Sequence, residues 1–541
     1  MRKINKLYTL MLAASVLSFS SCIEEPIPED SIATSEQLSS SSSALEAAVN
    51  GIPSQMAQGY LVYGKQVHET DMAFPQLMIA QTEMLGDMYP EGSNSGYDWY
   101  RNYNCFNRDF GENSYFSYLP WYTLYKFVKA DNAIISSVNI DDPKVSNEIK
   151  GYAGIAYAAR AFDYFMLSTF WEPKANIYTD CSKVLGLTVP IVTDTTTAQT
   201  AKNNPRATHS EMLKFMLSDL DKAESALKNF TPATKNVPDL AVVYGIKAKV
   251  YFWDKDYKNA AKFARLAIEN TDGEPMNENE WTDPNSGFTT ATSGWMWYIH
   301  YDPENMSNLA NYVGWVSGEA DWGYSSLTCP SIDKSLYDHI GKKDFRRKVF
   351  LDPERKATDY KTCRDTNFIN EAPDYLSLKF RCKGGNFETY SEGGATDVPV
   401  MRVEEMYFIE AIAKGLSDGA AAGEDLLNSF MQKYRDPDYN YTGSDVNAFV
   451  KEALAQMRVE FWGEGNAFPI AKTLEVGVMQ NYTGTNAPED IFKINCKGIK
   501  PNWNFVIPIN EIDANVALKG KNNPNPTQSV KIPSPIDKYS E

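Results

Sequence analysis

Residues 145–170 constrain the fold more than any other stretch. Ile149, Tyr152, Ile155, Ala156, Ala159, Phe162 and Phe165 recur at helical spacing as one wide apolar stripe, with Arg160 and Asp163 at its flanks. The same period recurs at 44–56, 76–88, 121–138, 210–228 and 240–270, so the first half reads as helices packed on helices. It returns at 402–413, 424–434 and 446–462. Between 271 and 374 it gives way to Gly, Asn, Asp, Pro and aromatics, the pattern of long ordered loops with short strands and helices. Ser210 is the expected cap of the fifth helix. The polar, Asn- and Pro-rich end, 497–541, is expected to wrap the surface.

The sixth segment adds a repeat signal. Tyr244, Ala248, Tyr251, Ala260, Ala264 and Ala267 fall near the positions of a tetratricopeptide repeat, and Asp254-Lys255-Asp256 supplies the turn. An ordinary alanine-rich hairpin would show the same residues. The expected class is mostly α, with helical repeats in 44–270 and a loop-rich half in 271–541.

Residues 1–21 read as an export signal: Arg2, Lys3 and Lys6 precede an apolar run too short to span a bilayer. Phe19-Ser20-Ser21-Cys22 resembles a bacterial lipobox, which makes Cys22 the expected lipidation site. Residues 22–43 read as a tether, acidic at Glu24, Glu25, Glu29 and Asp30 and then Ser-rich. Residues 1–21 hold three basic and no acidic side chains, so the formal charge of −18 becomes −21 without them. Such a balance argues against nucleic acid, whose phosphates demand basic patches. The four His lack zinc-enzyme spacing, Asp254 and Asp256 lack the EF-hand pattern, and no metal or cofactor is expected. Beyond Cys22 the cysteines are Cys105, Cys181, Cys329, Cys363, Cys382 and Cys496. No CxxC occurs, and spacing leaves the pairing open.

Six separated segments resemble one family in order. They are WYTLYKFVKADNAIISSV (121–138), YAARAFDYFMLSTFWEP (157–173), LTVPIVTDT with NPRATHSEMLKFMLSDLDKAESAL, DVPVMRVEEMYFIEAIAK (397–414), MRVEFWGEG (457–465) and NFVIPINEIDAN (504–515). Together they resemble the SusD/RagB outer-membrane lipoproteins of Bacteroidetes. After Gly465 the family usually has Arg and then D-L-x-R, whereas this chain has Asn466 and FPIAKTL. The resemblance implies a helical body of tetratricopeptide-type units, no catalysis, and a SusC-like TonB-dependent transporter in the outer membrane as partner. There the lipoprotein acts as a lid, anchored by its lipid and facing outward. The ligand it implies is a glycan, or a peptide in one branch.

Flat C–H faces of pyranose rings pack on Trp and Tyr, while amides and carboxylates accept hydroxyl hydrogens. Five of the 11 Trp (Trp281, Trp295, Trp297, Trp315 and Trp322) crowd into 281–322. Each is either core or platform. The candidate ligand residues are Trp295, Trp297, Trp315, Trp322 and Tyr324, with Trp99, Tyr100 and Arg101 from a second polar loop at 93–104. Trp121, Trp171, Trp253 and Trp503 are expected to be structural. Arg160, Arg402, Glu410, Arg458 and Glu464 are expected in internal ion pairs or helix-end contacts. A glycoside hydrolase would need two carboxylates across a cleft, for which Glu319 and Asp321 are the nearest pair. A pure scaffold is the remaining alternative.

Overall fold

The computed structural model describes residues 38, 41–58, 61–62, 65–66, 74–90, 110–306, 309, 311–323, 325–488, 492–526 and 536. Each stretch with a helical period forms a helix. These are α1 (Ser42–Ala57), α2 (Phe74–Met84), α3 (Tyr115–Ser136), α4 (Asn147–Trp171), α5 (His209–Leu227), α6 (Leu240–Trp253) and α7 (Tyr257–Asn270). Later come α8 (Val403–Asp418), α9 (Ala420–Tyr434), α10 (Val446–Glu460) and α11 (Ala467–Thr473). Among the described residues no helix is long and apolar enough to cross a membrane.

Small residues set the approach of neighbouring helices. A Cβ on Gly154 of α4 would stand 2.8 Å from the Ala226 methyl of α5. Ala260, Ala264 and Ala267 of α7 are buried. The packing runs α3 on α4, α4 on α5, α5 on α6, α6 on α7, α7 on α8 and α8 on α9. Asp256 caps α7 through Asn259 N, and Asp254 meets His209, so this turn uses its carboxylates on protein groups.

The cap of α5 is Thr208, and not Ser210. Thr208 and Glu211 satisfy each other's backbone N–H groups in a reciprocal box, which places Ser210 inside the first turn. The motif Arg206-Ala207-Thr208 thus ends in a cap and begins in a clamp. Arg206 donates to Thr188 O, Leu187 O, Trp171 O, Lys521 O and Asn523 Oδ1. The C-terminal segment does more than wrap the surface. Trp503 and Phe505 are core residues, Phe505 stacking on Phe170 at 4.8 Å.

Strands are short and paired in twos. β1 (Leu61–Val62) pairs with β2 (Lys65–Gln66), and β3 (Met88–Tyr89) pairs with β5 (Ser331–Ile332). The longest pair is β4 (Trp295–Ile299) with β6 (Val398–Arg402), which is irregular around Trp297. β7 (Val478–Met479) pairs with β8 (Asn495–Cys496). One core runs from Leu38 to Leu518 and joins residues on both sides of position 270. Leu38 lies within it, so the core takes in a residue of the 22–43 stretch read as tether.

The family-like motifs converge inside. Arg160 of α4 donates to Asp219 of α5 at 2.8 Å and to Asn132 of α3 at 2.7 Å. Arg458 donates to Asp87 at 2.9 Å, and Arg265 to Glu410 at 2.9 Å. Arg402, Arg435 and Arg346 surround Glu460. Burial opposes the Glu460 charge, yet the three guanidiniums hold its carboxyl well below the usual carboxylate range.

Candidate functional site

The aromatic mid-chain segment folds around Asn311. Its Oδ1 accepts from Gly314 N at 2.8 Å and from Trp322 Nε1 at 3.4 Å, and its Nδ2 donates to Tyr390 O at 3.4 Å. One side-chain amide therefore holds the 311–322 turn against the 389–395 turn. The approach is close. A Cβ on Gly323, which has φ +64°, would lie 2.3 Å from Leu309 O, and one on Gly393 would lie 2.8 Å from the Trp322 ring.

This geometry places the expected platforms in the interior. Trp322 is 6% exposed and packs with Val313, Ala320 and Cys382. Trp315 is buried in the main core. Trp295 Nε1 contacts Met276 Sδ, and Trp297 donates to Asn236 O with its ring edge-on to Phe162. None of the four presents an open ring face, because all four are buried. In this conformation they are packing residues and not stacking platforms. Trp99, Tyr100, Arg101 and Tyr324 lie outside the described residues, as does Cys22. Trp121, Trp171, Trp253 and Trp503 are buried, as expected.

The outer side of the same turns carries different residues. Tyr390 is 36% exposed, and Leu309 and Leu327 are about half exposed at 47% and 51%. Asp321 is exposed beside Arg364, 3.9 Å away. Arg364 lies over the rings of Phe368 and Phe387, its carbon 4.9 and 4.8 Å from their centroids. Asp321 N donates to Phe387 O, and Asn386 Nδ2 donates to Glu392. The 321, 364 and 386–392 segments thus carry an exposed aromatic ring, a guanidinium, two carboxylates and an amide, groups that suit the flat face and hydroxyls of a sugar ring. The sequence signal for Tyr390, Arg364 and Phe387 was faint, because they follow the tryptophan-rich stretch by 42 residues or more.

Glu319 is not among these groups. Its carboxylate is buried and accepts from Thr362 Oγ1 at 2.6 Å, Cys363 N at 3.0 Å and Arg381 Nη1 at 2.7 Å. Asp321, by contrast, is exposed. The two therefore do not form a carboxyl pair facing one cleft.

A second concavity lies between α3, α4 and α5. It is an open cleft of about 690 Å³, lined by Tyr157, Arg160, Asp194, Phe215, Asp219 and Lys222 among others. Its floor is the Arg160–Asp219 pair, and Lys222 Nζ stands 4.8 Å over the Tyr157 ring.

Residues 41–252 match a SusD-like family described as starch-binding and associating with the outer membrane. That part of the chain is therefore similar to the SusD-like family. The fold agrees. A crystal structure described as a SusD-like carbohydrate binding protein from Bacteroides vulgatus is similar at TM-score 0.68 and 19% identity, over 88% of this chain and 97% of that one. A putative sugar binding protein from the same species gives TM-score 0.65 and 20% identity, over 88% and 97%. A SusD superfamily protein from Bacteroides thetaiotaomicron gives 0.67 and 18%, over 91% and 100%. No curated protein matches.

The departure after Gly465 now has a structural context. Asn466 Nδ2 donates to Val400 O and to Glu405 Oε2, and Lys249 meets the other Glu405 oxygen at 2.6 Å. In this SusD-like chain Lys249 supplies the buried positive charge beside Asn466.

Proposed function

We propose that this chain is a cell-surface lipoprotein that binds a glycan and passes it to a SusC-like TonB-dependent transporter, acting as a lid without catalysis. Residues 1–21 are its export signal, Cys22 carries the lipid, and the acidic and Ser-rich residues after it are the tether. The observation that carries the reading is the SusD-like match of residues 41–252, on a fold similar over 88% of the chain to a structure described as a SusD-like carbohydrate binding protein.

Tyr390, Arg364, Asp321 and Glu392 support a sugar ligand, with Trp99, Tyr100, Arg101 and Tyr324 as further contacts. The acidic balance suits a neutral glycan, which makes few charge demands. The occupied carboxylate of Glu319 supports binding over hydrolysis. Affinity electrophoresis of the chain lacking residues 1–22, against a polysaccharide panel, tests the reading.

A peptide or glycopeptide ligand is the second reading. The cleft over Arg160 and Asp219 favours it, since Lys222 and Asp194 offer exposed charges of both signs to anchor peptide termini or side chains.

A further inference from the structure

Lys249, Glu405 and Asn466 meet in the interior from three distant parts of the chain. Lys249 lies on α6, Glu405 in the first turn of α8, and Asn466 immediately before α11. All three are buried, at 4%, 0% and 7% exposure. The two oxygens of Glu405 are divided between the other two side chains. Oε1 lies 2.6 Å from Lys249 Nζ, and Oε2 accepts from Asn466 Nδ2 at 3.0 Å. Lys249 and Asn466 also line one small cavity of about 20 Å³, room for a single water, with Phe162, Met166 and Pro469 in its wall. An Asn in this position ordinarily caps the helix that follows. Asn466 makes no such bond, and its carboxamide is held toward Glu405 and Val400 O instead. An amine and a carboxamide are thus presented to the two oxygens of one buried carboxyl group.

We propose that Lys249 and Asn466 condense into an intramolecular amide cross-link, with Glu405 carrying the protons. Glu405 takes a proton from Lys249 Nζ through Oε1, which leaves a neutral amine. The amine lone pair attacks Cγ of Asn466, the new C–N bond forms, and the carbonyl π pair moves onto Oδ1. Glu405 passes its proton through Oε2 to Nδ2 and takes a second proton from the attacking nitrogen. The pair on Oδ1 returns, the Cγ–Nδ2 bond breaks, and ammonia leaves. Of the three protons on the Lys249 ammonium, one stays on the amide, one departs in ammonia and one remains on Glu405. The balance needs no oxidant and no co-reactant. Burial pushes the Glu405 carboxyl up, against the pull of Lys249 and Asn466, and a carboxylate so raised is a better base toward the ammonium. The bond would fasten α6 to the start of α11, whatever ligand the chain takes.

The test is mass-spectrometric mapping of proteolytic peptides from the folded, purified chain. The expected result is a branched peptide containing Lys249 and Asn466, lighter by one ammonia than the sum of its two parts and stable to reductant. Lys249→Arg keeps the charge and removes the nucleophile, and should give the two peptides separately at full mass. Glu405→Gln should do the same. Separate, unmodified peptides from the parent chain would overturn the proposal. So would an ammonia lost from the Asn466 peptide alone and still lost in Lys249→Arg, which marks cyclisation of that Asn onto its own backbone. A branched peptide lighter by one water would also overturn it, because it joins Lys249 to a carboxylate. A branched peptide that still forms in Glu405→Gln would overturn the role given to Glu405. Should a variant fail to fold, the map of the unmutated chain still decides whether the bond exists.

Discussion

Arg402 Nε lies 2.7 Å from Glu464 Oε2, joining the end of β6 to the turn after α10 in the interior. The same guanidinium meets Glu404 at 2.7 Å and Glu460 at 3.2 Å, and Lys379 meets Glu464 at 2.6 Å. Removing one partner leaves charges buried without compensation. Arg402→Met is expected to cost about 3–5 kcal/mol, read from urea unfolding. A loss within error of zero would show that the network contributes only order.

Arg206 tests how far the C-terminal segment depends on one side chain. Its donors reach three elements at once, including Lys521 O and Asn523. Arg206→Ala leaves several carbonyls unpaired at about 1–3 kcal/mol for each buried group. It should also make the segment near 521 the first site of limited proteolysis. Unchanged cleavage kinetics would argue that Trp503 and Phe505 alone hold the end in place.

His209 gives a pH dependence with a definite sign. Its ring stacks on Trp253 at 3.8 Å between Glu172 and Asp254. Burial opposes its charge, but the two carboxylates win and raise its pKa. A raised folded pKa means the stabilisation is complete below the unfolded value, about 6.5. It is lost as pH rises through the folded value. Comparing Tm from pH 6 upward (roughly the unperturbed His range) for the parent chain and His209→Phe should show the parent's advantage shrinking with pH. A constant offset would contradict the assignment.

Trp322 and Tyr390 lie on opposite sides of one turn, and their variants should separate stability from binding. Trp322→Ala is expected to cost about 3–5 kcal/mol as a core truncation. Tyr390→Ala should stay within about 0.5 kcal/mol of the parent, as a surface change. It should weaken glycan binding by several-fold, the loss of one aromatic contact worth about 0.5–1.5 kcal/mol. Equal affinity in Tyr390→Ala would remove Tyr390 from the site.

The helices were legible because burial imposes a period on sequence. The stripe from Ile149 to Phe165 and the alanines of α7 could hardly do otherwise. Ion pairing of Arg160, Arg402, Glu410 and Arg458 was legible too, since charges inside apolar helical segments need partners. The exposure of the tryptophans was not. A Trp in a polar loop looks the same whether or not another turn covers it, and what covers Trp322 comes from Gly393, 71 residues later. The α5 cap shifted by two residues because Thr208 has Glu211 to complete its box, whereas Ser210 already sits within the helix.

The most direct measurement of the central claim is affinity electrophoresis of the chain lacking residues 1–22 through gels containing neutral polysaccharides, beside its Trp99→Ala and Tyr390→Ala variants. At least one glycan is expected to retard the parent chain, and both variants are expected to run faster in that gel while folding normally. Free migration of the parent in every glycan gel, together with tight binding of peptides in calorimetry, would contradict it.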